Sequence, residues 1–182
     1  MESSQFSDSQ SRFETVEQID TLGATCDTFR VKLYGKLHFL KRLKAELAGD
    51  IRYQEALRKE FETGYRLEHP NLVRYISLDS DSILMEYVDG QSLSQCLATD
   101  PDYFSKRKNA DKFVRQLLDA VSYLHSHQVL HLDLKPDNIL LNPLGGALQD
   151  KLLHGGREYP FTRSHRESEA VLRMAGDIEG AV

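Results

Sequence analysis

Val129-Leu130-His131-Leu132-Asp133-Leu134-Lys135-Pro136-Asp137-Asn138-Ile139-Leu140 is the stretch from which the fold of this 182-residue chain is read. Apolar residues stand at both ends, Val129-Leu130 before and Ile139-Leu140-Leu141 after, and predict short buried strands that hold a polar centre at an edge. Within that centre an aspartate, a lysine and an asparagine sit at fixed offsets. Asp133 can orient a hydroxyl and take its proton, Lys135 can meet the charge of a moving phosphate, and Asn138 can hold a metal ion. Pro136-Asp137-Asn138 also suits an ordinary surface turn. A turn of that kind has no need of two apolar anchors, so a phosphoryl-transfer loop is the stronger reading.

Composition narrows the remaining classes. The chain is 40% apolar and 28% charged with a formal net charge of -5, as expected for a globular chain with one core or two small lobes sharing a cleft. No stretch approaches the roughly 18 apolar residues of a membrane helix, and the polar N-terminus has no secretory core. The expected compartment is therefore the cytoplasm, with no membrane partner. Cys26 and Cys96 are the only cysteines and form no Cys-x-x-Cys pattern, which argues against a disulfide scaffold or a zinc site. The runs Lys41-Arg42 and Lys106-Arg107-Lys108 are too short to mark a nucleic-acid partner.

Working outward, residues 1–11 read as a disordered polar lead-in. Val16, Ile19 and Leu22 lead to Gly23, Phe29 to Tyr34 alternates, Gly35-Lys36 supplies a turn, and Leu37 to Leu43 resumes a strand. From Asp50 to Glu68 the period changes, with Tyr53, Leu57, Phe61, Gly64 and Leu67 on one stripe of a helix that His69-Pro70-Asn71 stops. Leu72–Ile76 and Ser82–Val88 predict two more strands, and Asp89-Gly90 breaks the second. A short helix is expected at Ser92–Ala98 and a longer one at Asn109–Ser126, with Phe113, Leu117, Ala120, Val121 and Leu124 on one side.

Lys41 lies near the end of a predicted strand and Glu60 on the striped helix. A lysine there could simply face solvent, but a glutamate reaching across from the helix would hold its ammonium where nucleotide phosphates can be met.

The order and spacing of these signals resemble a eukaryotic-type protein kinase domain. His131-Leu132-Asp133-Leu134-Lys135-Pro136-Asp137-Asn138 is similar to its catalytic loop, Leu40-Lys41 to its third-strand lysine, Glu60 to its helix glutamate, and Leu84-Met85-Glu86-Tyr87-Val88-Asp89-Gly90 to the strand entering its hinge. The resemblance implies an α+β fold. Residues 12–88 would form a small β-rich lobe with one long helix. Residues 89–143 would form the first part of a helical large lobe, and 144–182 an atypical, poorly packed tail. ATP and Mg2+ are the implied cofactors and a protein serine or threonine hydroxyl the implied acceptor, since Lys135 follows Asp133 as in that branch. Gly23 would open the phosphate loop, Met85 would be the gatekeeper beside adenine, and the backbone of Glu86 to Val88 would bond the adenine edge. Lys41, positioned by Glu60, would hold the inner phosphates, with Asp133 as base and Asn138 on magnesium.

Several positions depart from the family pattern. Thr25 and Thr28 stand where further glycines belong, so their Cβ atoms restrict the approach of backbone amides to phosphate, and Asp27 adds a negative charge. Leu132 replaces the arginine that usually pairs with a phosphorylated activation segment. No Asp-Phe-Gly follows the loop: Leu148-Gln149-Asp150-Lys151-Leu152 stands there, leaving Asp150 as a weak candidate metal ligand. No Ala-Pro-Glu follows either, and the expectation is a truncated or misread kinase chain with impaired transfer. The alternatives are a catalytically inactive nucleotide-binding pseudokinase or scaffold module and, more remotely, a small-molecule kinase.

Overall fold

Strand alternation between Cys26 and Leu43 builds the hairpin around which the first part of the chain forms. In the computed structural model, which describes residues 13–19, 24–142, 151–152 and 157–158, β1 spans Glu14–Ile19, β2 Cys26–Leu33 and β3 Lys36–Leu43. The lead-in 1–11, Gly23, Asp150 and most of the tail 144–182 lie outside the described residues. Tyr34 at φ 49° and Gly35 at φ 75° close the β2–β3 hairpin. Consecutive positive φ values match the strands' right-handed twist. The turn is thus one residue earlier than expected, and Lys36 already belongs to β3.

The chain forms two compact units. The first contains the described residues up to Glu68 together with Val73–Asp89. Its antiparallel five-stranded sheet has the order β1-β2-β3-β5-β4, with β4 at Tyr75–Leu78 and β5 at Ser82–Glu86. Val31, Leu40 and Leu84 are buried on one face, joined by Phe13, Phe29, Leu33 and Ile76. Helix α1, Ile51–Tyr65, packs on the sheet near β4 and β5. It begins where Asp50 accepts a hydrogen bond from the Arg52 amide at 2.9 Å, the N-cap arrangement that satisfies an otherwise unpaired amide. It comes close to the sheet at Gly64, where a Cβ would lie 2.6 Å from a Tyr75 ring carbon.

Several boundaries differ from the sequence reading, beginning with β2, which starts at Cys26 rather than Phe29. The fourth strand begins at Tyr75 rather than Leu72, because pairing runs from Tyr75↔Met85 to Leu78↔Ile83 and the tight turn follows directly. The fifth ends at Glu86 rather than Val88, since His38↔Glu86 is the last pair that β3 offers. The helix ends at Tyr65, with the Arg66 amide donating to the Gly64 carbonyl, before the proline is reached.

The second unit contains His69–Leu72 and the described residues from Gly90 onward. A short strand β6, Gln91–Ser92, leads into α2, Leu93–Thr99, whose start is a capping box made by Ser92 and Gln95. Helix α3, Arg107–Ser126, buries Ala120, Val121 and Leu124. The His69 ring joins this helix: its Nδ1 accepts from the Asn71 amide at 3.1 Å, and its Nε2 lies 3.2 Å from Asp119. Strands β7, Val129–Leu130, and β8, Ile139–Leu141, flank a 3-10 turn at Pro136–Asn138. Gly90 is required because a Cβ there would run into the Leu141 carbonyl oxygen. Two short strands were not expected in the tail. β9, Lys151–Leu152, pairs with β8, and β10, Arg157–Glu158, pairs with β7, so backbone hydrogen bonding extends past Leu141.

The Arg52 guanidinium and amide on Asp50 lower its carboxyl pKa to about 2 from the usual 3.8. The folded pKa is depressed, so this carboxylate's contribution to stability is complete above about pH 4 and lost as pH falls toward 2. Asp50→Ala should lower the urea midpoint at pH 6 and narrow its difference from the parent at pH 2, measured by circular dichroism.

Candidate active site

The first cluster of candidate side chains is built on β3, α1 and β4. Lys41 pairs in register with Thr28 on β2 and Ile83 on β5, near the end of β3, so its side chain leaves the sheet on the face opposite Leu40. Its Nζ donates to both carboxylate oxygens of Glu60, at 2.7 Å each. The side chains of this pair are only 26% and 18% exposed. An ion pair withdrawn this far from water needs its hydrogen bonds made, and the bidentate geometry makes them. The Tyr75 hydroxyl donates to Glu60 Oε1 at 3.2 Å. An ammonium has three donors, so with two directed at Glu60 one remains to meet a phosphate oxygen. Beside the pair, burial pushes the Cys26 thiol up, which keeps it a packing group rather than a nucleophile.

Met85 is buried on β5 opposite Phe39 and Tyr75. The Glu86 amide donates to the Arg74 carbonyl at 3.0 Å and the Glu86 carboxylate accepts from the Arg74 amide at 2.7 Å. That amide is therefore committed within the unit. Val88 follows in the irregular segment after β5 and is half-buried.

The second cluster lies on the loop between β7 and β8. His131 is buried, whereas Leu132 to Asp137 are exposed. Leu132 adopts φ 60°, a left-handed conformation that costs a non-glycine residue on the order of 1–2 kcal/mol. The Asp133 amide donates to the His131 carbonyl at 2.9 Å. Asp133 Oδ2 accepts from Lys135 Nζ at 3.0 Å and from Asn138 Nδ2 at 2.9 Å, and the same Nδ2 donates to the Asp133 carbonyl at 2.8 Å. Asp137 accepts from Ser94 Oγ at 2.5 Å, fastening the loop to α2.

The Lys135 ammonium holds the Asp133 carboxyl below its usual range, and Asn138 adds to the effect. An aspartate so stabilised is ionised at neutral pH. It is suited to orient a hydroxyl and accept its proton late, because its affinity for a resting proton is low. The donor set fits magnesium in one respect: Asn138 spends its amide nitrogen inside the loop, which leaves Oδ1 as an oxygen of the type a hard cation takes. Among the described residues no group of three or more His, Cys, Asp or Glu side chains is placed to hold a metal.

Thus Lys41 and Glu60 meet in the first unit, and Asp133, Lys135 and Asn138 meet in the second. Met85, Glu86 and Val88 lie at and just after the end of β5. Tyr75, Gly64 and Ser94 were missed. Tyr75 read as a strand residue and Gly64 as part of an apolar stripe. The one available signal was a glycine inside a helix, which costs about 1 kcal/mol against alanine and asks for a packing reason.

Residues 22–149 match the family model described as the protein kinase domain. The chain belongs to the protein kinase domain family. Within it, this kinase-domain chain is 39% identical over 95 residues to myosin light chain kinase 3 of Rattus norvegicus, a match covering 50% of the chain and 12% of the relative. It is 32% identical over 126 residues to a mitogen-activated protein kinase kinase kinase of Aspergillus fumigatus, covering 66% and 8%. It is 30% identical over 110 residues to serine/threonine-protein kinase PrkC of Bacillus subtilis, covering 58% and 17%. The chain therefore spans under a fifth of the length of these relatives. Its fold is similar to the kinase domain of Mycobacterium tuberculosis PknI, with TM-score 0.58 and 23% identity over 79% of this chain and 59% of that one. The expected α+β kinase fold is thereby borne out. No helix among the described residues is long and apolar enough to cross a membrane.

Removing Lys135 should raise the Asp133 titration midpoint more than removing the Asn138 amide. Carboxyl-carbon NMR of Lys135→Ala and Asn138→Ala chains across pH 2 to 6 checks that order; the depressed carboxyl loses its ionised form, and the loop its hydrogen bonds, as pH falls through the folded pKa.

Proposed function

We propose that this kinase-domain chain binds ATP with Mg2+ and carries the groups for transfer of the γ-phosphoryl to a protein serine or threonine hydroxyl, acting in the cytoplasm. The observation that carries this reading is the Asp133 carboxylate held by Lys135 at 3.0 Å and Asn138 at 2.9 Å, an acceptor whose orientation is set before substrate arrives.

In this scheme Asp133 accepts the hydrogen bond of the incoming hydroxyl and takes its proton as the new P–O bond forms and the bond from the γ-phosphorus to the bridging oxygen breaks, releasing ADP. Lys135 then turns from Asp133 to the charge that develops on the transferring group. Lys41, oriented by Glu60, gives its remaining donor to the inner phosphates. Met85 lines the adenine position, and the backbone from Glu86 to Val88 offers the base edge its carbonyls and the Val88 amide. Asn138 Oδ1 would hold magnesium, which when bound neutralises phosphate charge. Gly23 would open the phosphate loop and Asp150 would be a weak further ligand, although both lie outside the described residues.

Transfer by this chain alone is expected to be slow, because Thr25 and Thr28 restrict amide approach to phosphate. A second reading, a nucleotide-binding module without transfer, draws on the same threonines.

Labelled ATP and a serine/threonine peptide library distinguish the two. Slow transfer reduced at least roughly 100-fold by Asp133→Asn supports the first reading, that being the usual scale of a lost acid–base group. ATP binding by calorimetry with no transfer, weakened little by withdrawing magnesium, assigns the chain to the second. Binding that is unchanged in Lys41→Met overturns the nucleotide site in both.

A further inference from the structure

We infer that Tyr75 is the positioning residue of the Lys41–Glu60 pair and that Gly64 exists to admit its ring. That the pair serves a nucleotide rests on the reading above; that Tyr75 positions it does not.

A lysine and a glutamate are both long and rotamer-rich, so two such side chains bonded only to each other keep freedom to shift together. A third group fixes them if it is itself rigid. Tyr75 meets that condition: it is 3% exposed, stands on β4 opposite Met85, and turns only about two side-chain torsions. Its hydroxyl reaches Glu60 Oε1 at 3.2 Å, the oxygen that also receives Lys41 Nζ at 2.7 Å. Oε1 thus takes two donors while Oε2 takes the lysine at 2.7 Å.

The ring reaches this place because α1 comes close to β4 at Gly64. A Cβ there would lie 2.6, 2.7 and 2.8 Å from the ring carbons Cε2, Cδ2 and Cζ of Tyr75. No alanine fits at those distances unless the ring moves. Gly64 lies one turn beyond Glu60, on the same side of the helix, so the space it leaves opens directly beside the carboxylate. Glycine weakens a helix interior, and here it leaves room for the ring whose hydroxyl bonds Glu60. Phe61 flanks the ring from the same helix, with centroids 6.3 Å apart. Burial pushes the Tyr75 phenol well above its ordinary range, and the neighbouring Glu60 carboxylate adds to this, so the hydroxyl remains a donor at neutral pH.

Tyr75→Phe removes the hydroxyl and keeps the ring, which makes it the deciding variant. In the 182-residue chain without nucleotide, the Lys41 ε-ammonium proton–nitrogen signal, identified by its loss in Lys41→Met, is expected to broaden and exchange faster with water. With nucleotide, affinity for ATP should fall roughly tenfold, the scale of one hydrogen bond to a charged group, while affinity for adenosine stays unchanged. A purely structural role would weaken both ligands together. Gly64→Ala should move the same readouts in the same direction by displacing the ring. A folded Tyr75→Phe chain with an unaltered ammonium signal overturns the inference, as does an equal loss of ATP and adenosine affinity. If the parent chain binds neither ligand, the nucleotide reading fails, and the ammonium signal still decides the role of Tyr75.

Discussion

An ammonium and a carboxylate that are both largely withdrawn from water have to find each other, and Lys41 and Glu60 do so across the gap between β3 and α1. This requirement couples several choices made elsewhere in the first unit. The register of β3 between β2 and β5 decides which face Lys41 takes, and the rotation of α1 decides whether Glu60 meets it. A shift of one residue in that register would send the lysine to the face of Val31, Leu40 and Leu84. The stabilisation gained is modest. Exposed pairs contribute about 0–1 kcal/mol and buried ones offset much of their attraction by desolvation. An arrangement that adds little to stability yet needs this much surrounding structure is better explained by positioning than by folding energy.

The loop in the second unit solves a similar problem with short-range means. Asp133, Lys135 and Asn138 bond to one another within a few residues, and the 3-10 turn at Pro136–Asn138 brings Asn138 back to both the carboxylate and the carbonyl of Asp133. What the loop needs from outside is anchorage, supplied by β7, β8 and the Ser94 bond to Asp137. Its strained point is Leu132, left-handed and 56% exposed, in a segment where buried packing does not account for the side chain.

Positions that depart from the family pattern are not empty of structural use. Thr28 is buried, and its hydroxyl donates to the Ile19 carbonyl at 3.0 Å, adding a side-chain tie between β1 and β2 that a glycine could not make. The side chain that stands where the family pattern has a glycine thus supports the sheet. This exchange of ligand access for strand cohesion accords with the slow transfer proposed for the chain.

The loop from His131 to Asn138 was legible from sequence because its interactions are local: Asp133, Lys135 and Asn138 interact at separations that the order of residues fixes, between apolar runs that identify their own strands. The stripe of α1, the five strands and the α+β class were legible through periodicity for the same reason. Boundaries were less so, since β4 and β5 begin and end where a partner strand offers hydrogen bonds, which no residue in Leu72–Ile76 or Tyr87-Val88 encodes. The pairing of β9 with β8 and of β10 with β7 was invisible in a tail without periodicity. Lys41 with Glu60 was suggested by spacing, but only tertiary structure set their bond at 2.7 Å and brought Tyr75 onto the same oxygen. Sequence determines which groups a chain carries and how near neighbours interact. Whether a helix approaches a strand closely enough for a phenol to reach a carboxylate depends on packing between distant segments, and here it turned on the absent side chain of Gly64.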